Sequence, residues 1–176
     1  SMIAILLNDA SFEQDIRELL MAFYPGETFT HKEEEAGEAE LIVRGVRDGN
    51  SFSLDVTPVK KEAVHFALIY PDFSNRFETK NEIKQTLYRL LSAQTGRELP
   101  WGTLTGIRPT KIALTKLYDG WTDEQIETYM RETYFTSKEK IDLSIDVAER
   151  ERRLLSTIDY ENGYSLYVGI PFCPTT

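Results

Sequence analysis

The sequence has very little of the material from which disulfide-stabilised, membrane-spanning or metal-chelating proteins are built. Its 176 residues include one cysteine and two histidines. One cysteine cannot form an internal disulfide, which fits a reducing compartment, so we expect a cytoplasmic protein. The first residues lack the basic and small-residue pattern of a signal peptide. The longest apolar run is no longer than a strand, which excludes a membrane-spanning helix.

Basic charge is also scarce, because acidic residues outnumber basic ones and the net charge is −9. An acidic surface repels phosphate backbones, so we expect no nucleic-acid partner. Helices in the C-terminal half could imitate a helix-turn-helix, but the second one carries mainly acidic side chains at Asp123, Glu124, Glu127 and Glu132. Such a helix would be repelled by DNA.

The two histidines, His31 and His65, lack the spacing of a metal site. Neither has a ligand partner four residues away or a Cys-x-x-Cys pair nearby. We interpret both as surface or edge residues. The sequence also contains no phosphate-binding glycine-rich loop and no catalytic triad.

Hydrophobic periodicity predicts an α+β fold for residues 2–97, with a mainly antiparallel sheet and packed helices. A buried strand over 2–8 is followed by a helix, and Pro25-Gly26 ends that helix. The period then changes to two, and Asp48-Gly49-Asn50 is typical of a hairpin, so a β-meander follows. Its last strand is defined by Val64, Phe66, Leu68 and Tyr70, which we expect to be buried and to alternate with His65.

A long helix closes this domain, and a helical connector over 98–160 follows it. Gly96 is placed to end the long helix, and Pro109 to begin the next one. Polar residues suited to helix N-caps precede the helices: Ser11, Ser74, Thr122 and Thr136. After Asn162-Gly163, the pattern over 164–170 returns to that of a strand, so residues 161–176 form the start of a third domain.

The C-terminal segment, Tyr164-Ser-Leu-Tyr-Val-Gly-Ile-Pro-Phe-Cys-Pro-Thr-Thr176, carries the most specific pattern. It resembles the first barrel strand and cluster loop of the oxygen-independent coproporphyrinogen III oxidase family of radical S-adenosylmethionine (SAM) enzymes. The resemblance extends to Trp101-Gly-Thr-Leu-Thr-Gly-Ile-Arg-Pro-Thr-Lys111, which is similar to the HemZ-type, coproporphyrinogen dehydrogenase-like branch. It implies that residues 161–176 begin a radical SAM barrel and that the chain stops inside the C-x-x-x-C-x-x-C motif.

The resemblance also implies cofactors and site residues. Cys173 matches the first cysteine ligand of a 4Fe–4S cluster, whose fourth iron binds SAM. Tyr167 matches the tyrosine that contacts SAM. Gly169 stands where most members have histidine, which leaves the substrate and reaction open. One thiolate cannot hold the cluster, so we expect the fragment itself to be inactive and to bind neither cofactor.

Arg108 and Lys111 lie at the predicted start of a helix, where anions are favoured. They could contact a propionate of a tetrapyrrole substrate or the carboxylate of SAM. The other interpretation is an interdomain joint, in which Trp101 and Ile107 pack against the enzyme's own barrel. We favour the joint, because a basic, glycine-containing turn beside a tryptophan needs no ligand to explain it.

On these grounds the chain is interpreted as the N-terminal accessory domain of a porphyrin-biosynthesis enzyme. The resemblance implies that the full enzyme decarboxylates the propionates of coproporphyrinogen III to vinyl groups. The alternative is a module that binds a partner protein or haem and is attached to a radical SAM domain of other specificity.

Overall fold

The computed structural model describes residues 1–61, 63–106 and 108–162, with only the backbone of 159–162. Tyr167, Gly169 and Cys173 lie outside the described residues, as does the predicted strand over 164–170. The described residues form two compact units. The first contains Ser1–Thr105 and Thr133–Phe135, and the second contains Gly106–Glu132 and the chain from Thr136 onward. The predicted boundaries at 97 and 160 stay a prediction.

The first unit is a five-stranded sheet with two α-helices, which confirms the α+β prediction. Its elements in chain order are β1 (Met2–Leu7), α1 (Glu13–Phe23), β2 (Thr28–Thr30), β3 (Leu41–Asp48), β4 (Ser51–Pro58), β5 (His65–Ile69) and α2 (Arg76–Thr95). The strand order is β2-β1-β3-β4-β5. Strands β3, β4 and β5 are antiparallel neighbours and form the predicted meander, while β1 runs parallel to both β2 and β3.

One face of the sheet carries the main hydrophobic core. Alternate residues of β4, namely Phe52, Leu54 and Val56, are fully buried, and α1 and α2 cover them with their apolar sides. The other face is covered over β1 by a 3₁₀ helix, Glu33–Glu38, whose Ala36 packs with Ala4 and Leu6. This glutamate-rich segment therefore lies partly against the sheet.

Strand β5 faces the opposite way from the expectation set by its apolar residues. Val64, Phe66, Leu68 and Tyr70 are 54%, 60%, 48% and 65% exposed, whereas the intervening residues are half-buried. Directly opposite residues of two paired strands share a face. Because Phe66 lies opposite Asp55 and Leu68 opposite Ser53, both point to the outer, polar face of β4.

The second unit consists of α3 (Thr110–Tyr118), α4 (Asp123–Tyr134, whose last two residues cluster with the first unit) and α5 (Lys138–Asn162). The predicted cap of α4 is confirmed. The Thr122 hydroxyl accepts from the Gln125 backbone N–H at 3.1 Å, and the Gln125 side chain accepts from the Thr122 N–H at 2.9 Å. Within the part of the chain described, no helix is both long and apolar enough to cross a membrane.

Other caps differ from the sequence-based prediction by one or two residues. The hydroxyls of Ser11 and Ser74 donate to Asp9 and Asp72, respectively. The cap of α2 is Asn75, whose side chain accepts from the Glu78 N–H at 3.1 Å. Asparagine caps a helix as well as serine does, so Asn75 takes the role predicted for Ser74. No side chain caps α1, because Phe12 occupies its N-cap position.

Candidate functional site

Two of the four sequence-predicted site residues can be located in the structure. Arg108 and Lys111 are both exposed at the start of α3. Tyr167 and Cys173 lie outside the described residues, and their roles stay predictions. Among the described residues, no group of three or more histidine, cysteine, aspartate and glutamate side chains could hold a metal ion.

The first half of the 101–111 motif is a tight backbone contact. Gly102 has a φ of +64°, and a Cβ placed on it would lie 1.9 Å from the Tyr134 carbonyl oxygen. The next residue, Thr103, is fully buried and donates its backbone N–H to the same oxygen at 2.7 Å. Its hydroxyl lies 3.3 Å from that oxygen as a second donor. Glycine is therefore required at 102 for the chain to approach the end of α4.

We call residues 97–105, which include this contact, the strap. Hydrogen bonds hold the strap on both sides of the contact. The Tyr88 hydroxyl accepts from the Leu99 N–H at 2.8 Å, and the Thr105 hydroxyl donates to Glu18 at 3.0 Å. The Arg97 guanidinium donates to the Phe23 carbonyl. The strap is thus held to both α1 and α2.

Glu18 belongs to a partly buried charged cluster on α1 and α2. Burial lowers the pKa of Lys84, while the negative charges of Asp15 and Glu18 act in the opposite direction. A second lysine, Lys80, lies 3.3 Å from Asp15. Each charge in the cluster faces an opposite one, so the cluster has the features of a structural ion-pair network.

The second half of the motif is the helix start that the sequence predicted. Pro109 precedes α3, and the first turn of α3 contains no acidic residue. The Lys111 backbone N–H donates to the Arg108 carbonyl at 3.1 Å, so this first-turn donor is already used within the chain. The division between the two compact units falls inside the motif, after Thr105.

A cavity of about 250 Å³ lies at the carboxyl ends of the parallel strands β1 and β2. Ligands often bind at the carboxyl ends of parallel strands, at the point where the chain connections to the two neighbouring strands run over opposite faces of the sheet. Its polar side chains are already paired. Arg44 makes two hydrogen bonds to Glu33, and His31 lies 2.9 Å from Glu13. His31 is exposed, as the sequence predicted.

Near this cavity, the Asp9 carboxylate contacts both Ser11 and Arg47, a residue of β3. It accepts from the hydroxyl of Ser11 at 2.6 Å and from the Ser11 backbone N–H at 3.0 Å, and lies 3.5 Å from the Arg47 guanidinium. The hydrogen bond from the Ser11 hydroxyl is the largest cause that lowers the pKa of Asp9 below its ordinary 3.8. The Arg47 guanidinium in turn stacks 3.8 Å from the centre of the Phe73 ring.

The lowered pKa of Asp9 predicts a pH-dependent contribution to stability. The folded state favours the carboxylate, so the contribution is present above the ordinary pKa of 3.8 and is lost as the pH falls through the lowered value. In Asp9→Asn the side chain still accepts hydrogen bonds but does not titrate. We expect the gap between the unfolding free energies of wild type and Asp9→Asn to narrow on acidification, as measured by urea denaturation. Asp48→Asn, at the exposed β3–β4 turn, is the control. If the difference in unfolding free energy between wild type and Asp9→Asn stayed constant down to about pH 2, it would contradict the lowered pKa of Asp9.

The surface that sequence reasoning missed is the outer side of β5. We call Val64, Phe66, Leu68 and Tyr70 the β5 stripe. The signal was present as an apolar alternation, but an alternation defines two faces without saying which of them is buried. The sheet register decides that question.

The comparisons with known proteins agree with the motif-based resemblance. The chain is 35% identical over 123 residues to a protein of Bacillus subtilis (strain 168) named oxygen-independent coproporphyrinogen-III oxidase-like protein HemZ. The match covers 68% of this chain and 24% of that protein, so the chain spans about a quarter of the relative's length. No family model matches the chain, and no solved structure matches it significantly.

Proposed function

We propose that this chain, which belongs to the HemZ-type coproporphyrinogen-III oxidase-like proteins, is the N-terminal accessory domain of a longer cytoplasmic radical SAM enzyme. The longer enzyme would act in haem biosynthesis and oxidatively decarboxylate propionates of a tetrapyrrole to vinyl groups. The 35% identity to the HemZ protein is the observation that carries this proposal. The C-terminal motif supports the radical SAM class, because the identity to HemZ and the motif point to the same family.

The longer enzyme would use a 4Fe–4S cluster and SAM. Cys173 would supply one of three cluster thiolates, and Tyr167 would contact SAM. The protein's part in such chemistry is to bind and orient the cofactors, while the cofactors carry the radical step. With one cysteine in 176 residues, the chain itself would bind no cluster and would be inactive.

The accessory role is supported by the strap and by the motif that continues from it. The motif's first half is held to α1, α2 and the end of α4 by hydrogen bonds. Its second half begins the helices that lead toward the radical SAM segment. A segment fixed in this way suits a joint that holds the sheet domain in place relative to the enzyme's barrel.

The alternative is a module that binds a partner protein or haem and is joined to a radical SAM domain of other specificity. Gly169, in place of the usual histidine, leaves room for a different reaction. The exposed β5 stripe favours a protein-binding surface, since contiguous apolar patches mark interaction sites.

Two substitutions in the full-length protein separate a joint from a substrate contact. A propionate or carboxylate held by Arg108 would make a charge-assisted hydrogen bond worth about 1.5–3 kcal/mol. Losing it in Arg108→Gln would weaken binding of coproporphyrinogen III or SAM about tenfold to hundredfold. The joint predicts unchanged affinity for Arg108→Gln. It also predicts a lowered melting temperature for Trp101→Ala, because a half-buried aromatic is removed.

The measurements are titration calorimetry for affinity and differential scanning calorimetry for the melting temperature. A large loss of affinity in Arg108→Gln, with Trp101→Ala melting like wild type, would contradict the joint. Lys111→Gln tests the second candidate cation in the same way. Lys32→Gln is the control, because it removes an exposed positive charge outside the 101–111 motif.

A further inference from the structure

The cavity at the carboxyl ends of β1 and β2 lies where the chain connections change face. The connection that leaves β1 contains α1, which packs on the face that carries the main core. The connection that leaves β2 contains the 3₁₀ helix Glu33–Glu38, which packs on the opposite face. Connections that separate in this way leave a crevice between the two parallel strands, and such crevices bind ligands. The position in the fold therefore favours a binding site, whatever side chains line it.

The lining of this cavity combines apolar side chains with an arginine that already holds a carboxylate. Leu6, Leu7 and Val46 are its apolar lining residues. The Arg44 guanidinium donates two hydrogen bonds to the Glu33 carboxylate, at 2.5 and 3.0 Å. Such a two-bond fork is the geometry by which arginine binds carboxylates. A single aromatic ring fits into a cavity of about 150 Å³, so the 250 Å³ available here are enough for a small ligand.

The Glu33 side chain can leave Arg44 without loss of the fold. Glu33 is 64% exposed and Arg44 is 42% exposed. Exposed ion pairs contribute little to stability, because water solvates both partners when they separate. The 3₁₀ helix has anchors of its own, namely the buried Ala36 and the hydrogen bond from the Thr30 hydroxyl to Glu35. The contact between Arg44 and Glu33 is therefore open to exchange with another carboxylate.

We propose that this cavity binds a small organic carboxylate with an apolar body, and that Glu33 takes the place of the ligand's carboxylate when the ligand is absent. Arg44 donates the same two hydrogen bonds to the ligand, and the apolar lining residues contact its body. The hydrogen bond from Arg44 lowers the pKa of Glu33 below its ordinary 4.5. The guanidinium thus favours an ionised carboxylate, which is the form that such a ligand has at neutral pH.

Two other carboxylates near the cavity have different partners. Asp55, directly opposite Arg44 on β4, accepts from the Thr57 hydroxyl at 2.5 Å. Its charge also acts on Arg44 and helps to keep the guanidinium in place. Glu13 lies 2.9 Å from His31 and forms an ion pair with the next arginine along α1. Glu33 is therefore the carboxylate that holds the Arg44 fork.

Benzoate and its neutral analogue benzamide test the proposal on the 176-residue chain. We expect benzoate, added up to about 50 mM at constant ionic strength, to shift the NMR signals of the Arg44 side chain and the Gly45 and Val46 amides. The shifts should saturate in the millimolar range, because one ion pair is exchanged for another. Benzamide should bind at least tenfold more weakly, since it carries no charge. Inorganic phosphate should also bind more weakly than benzoate, because it has no apolar body.

Glu33→Gln separates a ligand site from a structural ion pair. It leaves Arg44 without its internal carboxylate, so benzoate should bind about threefold more tightly. Arg44→Gln and Arg44→Lys should both weaken binding at least tenfold, because lysine keeps the charge but lacks the two-bond fork. Asp146→Asn is the matched control, because Asp146 pairs with Arg150 on α5 at 3.2 Å and does not line the cavity. It should leave the affinity unchanged, and circular dichroism checks that each variant is folded.

Three outcomes would overturn the proposal. The first is equal binding of benzoate and benzamide, or no saturable shift with benzoate. The second is tighter binding of phosphate than of benzoate, which would mean that the cavity selects compact anions instead of a carboxylate with an apolar body. The third is a folded Glu33→Gln protein that binds benzoate no more tightly than wild type, which would make the contact between Arg44 and Glu33 a structural ion pair.

Discussion

Gly102→Ala should lose about 2–5 kcal/mol of unfolding free energy, a large part of the stability of a protein of this size. A left-handed backbone costs a non-glycine residue about 1–2 kcal/mol. The new methyl group would also lie 1.9 Å from the Tyr134 carbonyl oxygen, so the strap must shift away from α4. Overpacking of that kind costs about 1–3 kcal/mol more. The shift would break the two hydrogen bonds that Thr103 makes to the same oxygen.

Gly106→Ala is the matched control for this prediction. It lies in the same motif, its φ is outside the left-handed region, and no described atom lies within 4 Å of an added Cβ. We expect Gly106→Ala to stay within about 0.5 kcal/mol of wild type in urea denaturation, as surface substitutions do. Equal stability of Gly102→Ala and Gly106→Ala would show that the strap does not depend on the close approach at Gly102.

That contact shows what the sequence could not predict. Gly102 and Tyr134 are 32 positions apart, and no local pattern connects them. The sequence did mark the 101–111 segment as unusual, and it did predict the left-handed Gly96 that ends α2. Turns and caps are local, so residue type predicts them. The cap at Thr122 was predicted to the residue for the same reason.

The predicted orientation of β5 is wrong for a different physical reason. The apolar alternation predicts that Val64, Phe66, Leu68 and Tyr70 are buried, but an alternation defines only two opposite faces. The register with β4 puts Phe66 beside Asp55, and hence on the outer face. The intervening residues His65, Ala67 and Ile69 are half-buried, and Ile69 packs against the main core. The parallel pairing of β1 with β2 was also missed, because β2 has three residues and too little pattern to identify.

The predictions about the candidate site also fall into two groups, those that follow from local sequence and those that do not. The positions of Arg108 and Lys111 at a helix start were predicted from Pro109, and the structure confirms them. A contact of either residue with an anion stays a prediction. The roles of Tyr167 and Cys173 follow from a resemblance, and they lie outside the described residues. Residue chemistry alone would not have assigned them, since a lone cysteine is more often a small buried hydrophobe.

Cys173→Ala in the full-length protein should abolish the iron–sulfur cluster. A 4Fe–4S cluster of this type is held by three cysteine thiolates, and two are too few to retain it. After anaerobic reconstitution, we expect the wild-type protein to be brown and to carry about four irons, and Cys173→Ala to be close to colourless and iron-free. The 176-residue chain should be iron-free as well, because Cys173 is its one cysteine.

Thr175→Ala is the control for this variant, since it changes the same sequence motif without removing a thiolate. Iron analysis and visible absorption give the readout, and electron paramagnetic resonance of the reduced protein identifies the cluster type. A Cys173→Ala protein with the iron content and spectrum of wild type would show that Cys173 is not a ligand.

Mass analysis of the tetrapyrrole product tests the central claim most directly. The reconstituted full-length protein is given coproporphyrinogen III, SAM and a reductant under anaerobic conditions. A HemZ-type coproporphyrinogen oxidase-like enzyme should convert propionates to vinyls, with the mass of one CO₂ and two hydrogens lost for each group, and Cys173→Ala should convert none. Unchanged coproporphyrinogen in a wild-type sample that still cleaves SAM to 5′-deoxyadenosine would contradict the claim, and would assign the chain to a radical SAM enzyme of other specificity.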